Sequence, residues 1–187
     1  MKFNFLLMLL TSSFLYSCAG SYHPGNPASF NYKTLVKNNE AKIDYYLIWD
    51  VFMKRGCLKY ANKEKHKNVN MVAVKITNTG EQLINITSDN LIVYSNGQQQ
   101  KLLQPDEFYT IIKQKKGFYF FWLVPNTGIS TIVAFVNFFV AKSANKFLRY
   151  DLKDNYLVSR SIEPGGSAYG YIYLMKPPSR DITIEIK

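Results

Sequence analysis

Few side chains in this chain have types and spacing that could do chemistry. Its 187 residues hold 2 Cys and 2 His, against 23 Lys plus Arg and 13 Asp plus Glu. Cys18, Cys57, His23 and His66 are scattered, so no His/Cys cluster stands at metal-ligand spacing. Neither a metal nor a cofactor is expected. Cys57 has no adjacent base and is expected to be buried and inert, as a small hydrophobe. No glycine-rich phosphate loop or nucleophile elbow is present, and Gly165-Gly166 after Pro164 reads as a turn. Asp50 follows an apolar strand, where catalytic carboxylates can sit, but acid–base work needs a positioned partner. Asp151, Asp154, Glu163 and Glu185 form no recognisable pair. Catalysis is therefore not expected.

The cations are a second possibility. Residues 54–67 carry Lys54, Arg55, Lys59, Lys63, Lys65 and Lys67 with only Glu64 against them. They make a candidate anion-binding patch, set against the plainer reading of a loop or strand edge whose lysines discourage pairing. The formal net charge of +10 favours anionic partners such as phosphates or acidic lipids. No nucleic-acid recognition motif accompanies it, and no nucleic acid is expected. The aromatics are the third: Tyr169, Tyr171 and Tyr173 share one strand face. They could stack on a sugar, although cover by neighbouring helices is the favoured reading.

These residues must be positioned by short strands. Ile43 to Val51 is a β-rich apolar run. Val69 to Ile76 alternates, with Val72, Val74 and Ile76 on one side and Ala73 and Lys75 on the other, as a half-buried strand does. Leu83–Ile86 and Leu91–Tyr94 follow, and Asn96-Gly97 closes a hairpin onto Gln98–Leu103, because a type I′ turn needs positive φ twice. Tyr156–Ile162, Ala168–Leu174 and the alternating Ile182, Ile184 and Ile186 complete a mainly β chain. Strands at this spacing point to an antiparallel β-sandwich.

Between the β halves, the pattern changes. Pro105, Asp106 and Glu107 open a helix that Lys113–Gly117 ends. Gly117 to Ala141 contain no charged residue and are broken at Pro125–Gly128. Residues 129–148 read as a helix whose small residues, Ser130, Ala134, Asn137, Ala141 and Ala144, form one stripe that lets another element approach closely. Residues 105–148 are thus expected to be an α-helical hairpin inserted between strands.

The amino terminus reads as a secretory signal: Lys2, an apolar run from Phe5 to Leu10, then small polar residues. Leu15-Tyr16-Ser17-Cys18 resembles the bacterial lipobox, with Tyr16 departing from the usual small residue. That resemblance implies cleavage before Cys18 and a diacylglycerol on its sulfur. Two or more chains anchor stably where one is marginal. Residues 1–17 are then the signal, 18–30 a lipidated Gly/Pro/Ser-rich tether, and 31–187 one domain.

Tyr60–Asn78, Ala141–Phe147 and Ile162–Ile172 resemble uncharacterised lipoproteins of the Bacteroides type. The resemblance implies an immunoglobulin-like sandwich with a helical insertion and no enzyme activity. Export to a bacterial membrane follows, and a tether without an acidic run leans toward an outer membrane protein facing the periplasm.

Two roles compete for the uncharged segment. In the first, a binding or assembly module presents Phe120, Phe121, Trp122, Phe135, Phe138 and Phe139 to another envelope protein. In the second, segment 117–141, flanked by Lys115, Lys116 and Lys142, dips into the bilayer beside the anchor. Simple packing of the insert on the sandwich is the plainer alternative, and an envelope hydrolase is the weakest reading.

Overall fold

The computed structural model describes residues 19–33, 35–38, 42–117, 119, 128–175, 179 and 181–187. In chain order the elements are β1 (Leu35–Asn38), β2 (Ile43–Ile48), α1 (Val51–Lys54), α2 (Leu58–Lys67), β3 (Val69–Asn78), β4 (Ile84–Ile86), β5 (Leu91–Ser95) and β6 (Gln98–Gln99). They continue with α3 (Pro105–Ile112), α4 (Gly128–Asp154), β7 (Arg160–Ile162), β8 (Ser167–Met175) and β9 (Ile182–Ile186). The described residues divide into two compact units, 19–22 with 114–146 and 23–113 with 147–187.

The larger unit, 23–113 with 147–187, is sheet-rich, and its paired strands run antiparallel. One sheet has the order β1-β2-β3-β8, another β6-β5-β9, and β4 pairs with β7. The β5–β6 connection follows from two residues. Asn96 and Gly97 take φ of 49° and 75°, and Ser95 faces Gln98. Both angles are what a type I′ turn demands, so the Asn-Gly pair closes the hairpin as expected. The strand beyond it is shorter than Gln98–Leu103: pairing stops at Gln99, and Leu102 makes only an isolated bridge to Leu174.

β3 lies between β2 and β8, with Leu47 opposite Val74 on one side and Ile172 opposite Val72 on the other. Met71, Val72, Ala73, Val74 and Ile76 are all buried. The strand is therefore covered on both faces rather than half-buried. Lys75 is accommodated because its ammonium lies over the rings of Tyr46 and Tyr169, 5.1 and 5.7 Å from their centroids.

Residues 54–67 depart from the loop or strand edge read from their charge. They form the end of α1 and the helix α2. Lys, Leu, Ala and Glu are good helix formers, and a run of them needs little else to wind. The helical period explains the burial: Tyr60 and Glu64, one turn apart, face inward while Lys65 and Lys67 stay exposed.

The aromatic residues form the centre of this unit. Phe108 of α3 stacks on Tyr173 at 4.6 Å and 18°, and Tyr156 stacks on Tyr173 at 5.5 Å and 10°. Phe52 continues the row to Phe108 and Tyr60. Offset stacks of this kind add to the area they bury. The chain after α4 crosses β8 closely, with the Leu157 amide donating to the Tyr171 carbonyl and the Tyr171 amide to the Asn155 carbonyl. A Cβ on Gly170 would stand 2.6 Å from Leu157 Cα, so only glycine permits that approach.

The helices occur where Pro105 and the small-residue stripe place them. α3 starts at Pro105, with the Glu107 carboxylate accepting from the Gln104 amide at 3.1 Å. α4 is longer than residues 129–148, running 27 residues to Asp154. Its last turns are tied to α3, since Asp106 pairs with Arg149 at 3.3 Å and with Lys153 at 2.8 Å.

Candidate functional site

In the smaller unit, 19–22 with 114–146, α4 reverses the usual assignment of helix faces. Ala134, Asn137, Ala141, Ala144 and Asn145 are buried. Ile132, Phe135, Val136 and Phe139 are 65%, 46%, 55% and 59% exposed. A helix that packs on a core normally turns its large apolar side chains inward. Here the small residues face inward and the large ones form a stripe at steps of three, one and three along the outer face. Lys142 and Lys146 are exposed just beyond it.

The inner face is occupied by the chain that follows residue 18. The Ala19 amide donates to Asn137 Oδ1 at 2.7 Å. The Gly20 amide donates to Gln114 Oε1 at 3.2 Å, and the Gly20 carbonyl accepts from Gln114 Nε2 at 2.6 Å. Gln114 is itself buried and held, its backbone amide and carbonyl both bonded to the Asn145 side chain at 2.8 and 2.9 Å. The Tyr119 hydroxyl donates to Gln114 Oε1 at 3.0 Å. Buried side-chain amides satisfied on every side fix geometry. Residues 19 and 20 are thus seated against α4, not extended away from it as a tether would be.

In the larger unit the following residues are also seated. The Arg55 guanidinium donates to the His23 carbonyl, and pairs with Asp151 at 2.9 Å, the two side chains 8% and 3% exposed. Asp151 Oδ1 accepts from the Gly25 amide at 3.4 Å and from Asn155 Nδ2 at 2.8 Å. The Tyr171 hydroxyl donates to the Gly25 carbonyl at 3.2 Å. Asn26 caps a short 3-10 turn, Pro27–Ser29, and Pro27 is buried. Where a flexible tether is expected over 18–30, Ala19, Gly20, His23 and Gly25 make hydrogen bonds to distant side chains within their own units. Gly, Pro and Ser were read as flexibility, whereas their backbone groups found fixed partners.

The tyrosine stripe on β8 is covered, as favoured from sequence, but by more than the helices. Tyr173 lies under Phe108 and donates to the Leu152 carbonyl at 2.7 Å. Tyr171 lies under residues 23–25, and Tyr32 packs on Tyr169 at 5.9 Å. Burial raises the pKa of Tyr32, Tyr171 and Tyr173, so all three stay protonated hydroxyls.

The cation set is dispersed. Arg55 is turned inward to Asp151, and Lys63 Nζ donates to the Lys113 carbonyl at 2.5 Å. Lys59 is half-buried, and Lys54, Lys65 and Lys67 are exposed. Arg55 therefore leaves the anion-binding patch, because the inward Asp151 carboxylate gives it a charge-assisted bond stronger than one to water.

Two polar residues escaped sequence reasoning. Asp151 was noted only as lacking a neighbour in sequence, and its partner is 96 residues away. Glu64, the lone acid in the basic run, is buried, and its Oε1 accepts from the Met71 amide at 2.6 Å. Loss of hydration pushes its pKa up to about 8, against the opposing Met71 hydrogen bond and with help from the Asp50 charge. The helical spacing to Tyr60 was the only signal available. Cys57 is buried. Among the described residues no group of three His, Cys, Asp or Glu could hold a metal ion, and no helix is long and apolar enough to cross a membrane.

Phe135 and Phe139 stand on the exposed stripe, and Phe138 beside it is half-buried with its ring edge-on to Phe139 at 5.6 Å. Cys18, Phe120, Phe121 and Trp122 lie outside the described residues. Comparison with known proteins returned no matching family model, no matching curated sequence and no matching solved structure.

Proposed function

We propose that the chain is a non-enzymatic, exported lipoprotein of a bacterial envelope, anchored through Cys18, whose α4 stripe engages the membrane at its surface. The observation that carries this reading is the seating of Ala19 on Asn137 of α4. Position 18 is then the neighbour in sequence of a residue bonded to the helix that bears the stripe. Ala19 sits on the inner face and the stripe on the outer one, so acyl chains on Cys18 would hold the stripe within about one helix diameter, roughly 10–12 Å, of the bilayer. Ile132, Phe135, Val136 and Phe139 would reach the headgroup boundary together. Fully burying such side chains is worth roughly 1.5–3 kcal/mol each. The exposed Lys142 and Lys146 and the +10 charge complement anionic headgroups. On this reading the protein lies on the membrane and does not span it. Its place would be the outer membrane, facing the periplasm.

A second reading keeps the same stripe for a different occupant. The order Ile132, Phe135, Val136, Phe139 is also the i, i+3, i+4, i+7 pattern by which a helix docks into a groove of a partner protein. An assembly module presenting this helix to another envelope protein remains the alternative. In fold, the proposal is an immunoglobulin-like sandwich carrying 105–148 as a helical insertion. The antiparallel sheets and the position of α3 and α4 between β6 and β7 support it.

Flotation of the unlipidated Cys18→Ser chain with anionic vesicles tests the occupant. Wild-type stripe residues should carry it to the top fraction, and Phe135→Asp with Phe139→Asp should leave it at the bottom. A chain that stays at the bottom with its stripe intact, while co-purifying with one envelope protein in an Asp-sensitive way, replaces the membrane with a protein partner. Mass spectrometry of the mature protein tests the anchor. A free Cys18 thiol would sink it.

A further inference from the structure

The larger unit has a second surface, a cleft on the last turns of α4. The last turns of α4 and residues 24–26 border an open cleft of about 520 Å³, within the roughly 300–1,000 Å³ common for small-molecule sites. Phe147, Tyr150, Asp151 and Asp154 line it from the helix, Asn155 from the turn that follows, and Asn26 from the segment 24–26. Steps of three, one and three put Phe147, Tyr150, Asp151 and Asp154 on one face of α4.

Each layer of that face has a distinct character. Phe147 and Tyr150 are 47% and 56% exposed, so large ring surfaces meet solvent at the cleft. Beneath them Asp151 is fixed by Arg55, Asn155 Nδ2 and the Gly25 amide. The floor is therefore rigid, and its one buried carboxylate is already neutralised. Asp154 is exposed and adds an acceptor, its backbone carbonyl held by Arg160. Asn26 is oriented by its own cap to the Ala28 amide at 2.9 Å.

Apolar ring faces beside carboxylate and amide groups fit a pyranose. The axial C–H face of the sugar is apolar and covers an aromatic ring, while its equatorial hydroxyls donate to carboxylate and amide oxygens. A cationic ligand fits less well, because Asp151 is paired already and the chain carries +10 overall. We propose that this cleft binds a neutral oligosaccharide, with a pyranose stacked on Phe147 or Tyr150 and its hydroxyls bonded to Asp154 and Asn155. The proposal does not depend on the membrane reading, since none of the cleft residues belongs to the α4 stripe.

The test is a printed array of neutral hexose and N-acetylhexosamine oligosaccharides probed with the full chain, followed by calorimetric titration of the strongest binder. At least one of Tyr150→Ala and Phe147→Ala should weaken binding about tenfold, the scale of one lost aromatic contact. Tyr150→Phe and Phe147→Tyr should keep it, with melting temperatures unchanged throughout. No binder on the array, or binding indifferent to both alanine variants, overturns the proposal. Loss of binding in the ring-preserving variants overturns it too.

Discussion

Glu64 shows what one buried side chain does to the chain's response to pH. Its carboxyl holds a proton up to about pH 8 in the folded protein, against an ordinary value of 4.5. Between those values the folded state binds a proton that the unfolded state has released. Stability from this group is therefore complete below about pH 4.5 and falls as pH rises through 8. Each unit of difference is worth about 1.4 kcal/mol, so the whole effect is on the order of several kcal/mol. Glu64→Gln keeps an oxygen for the Met71 amide and removes the charge. The variant should melt higher than the wild type at pH 9, with a flatter dependence of melting temperature between pH 5 and 9. Parallel slopes for the two proteins would show that Glu64 is hydrated after all. Arg55 and Asp151 are the contrasting case, since each supplies the charge that makes the other tolerable in the interior.

At the scale of elements, close approach decides what β8 and α4 can do. Gly170 lies where the chain leaving α4 crosses β8, and an added methyl would meet Leu157 backbone at 2.6 Å. Backbone cannot give way as a flexible side chain would. Gly170→Ala should cost about 1–3 kcal/mol, the usual range for overpacking, read as a lower denaturant midpoint. An unchanged midpoint would mean that the crossing is loose. α4 uses small residues for the same end, with Ala134, Ala141 and Ala144 buried where the helix meets the chain around Ala19 and Gly20. The consequence is that its large side chains have only the outside left to occupy. An exposed row of Ile, Phe, Val and Phe is costly in water. It is retained at an element whose other face is buried, and that is the ground for reading the stripe as a contact surface.

For the whole molecule, charge and apolar surface make separable contributions. The net charge of +10 attracts an anionic vesicle from a distance but is screened over about 3 Å at 1 M salt. Contact by Phe135 and Phe139 is not screened. Flotation of the Cys18→Ser chain should therefore weaken in 1 M salt without vanishing. In Phe135→Asp plus Phe139→Asp, any electrostatic binding left at low salt should vanish completely in 1 M salt. Complete release of the wild-type stripe by salt would reduce the membrane reading to surface electrostatics alone.

Patterns local in sequence were legible without coordinates. Asn96-Gly97 forced its hairpin, Pro105 and Glu107 opened α3, and the alternation at 182–186 made a strand, because each depends on neighbours a few residues away. The stripe of small residues along α4 was visible too, as was the burial of Cys57. The tertiary structure alone decided which partner each pattern met. Closing the second edge of β3 required β8, nearly a hundred residues later in the chain. Arg55 left the surface for Asp151, and a Gly/Pro-rich segment that reads as slack was fixed by carbonyls and amides finding distant side chains. Composition records what a residue can bond to. Its burial and its partner are set by chain closure over long separations, and those separations carry no local signature.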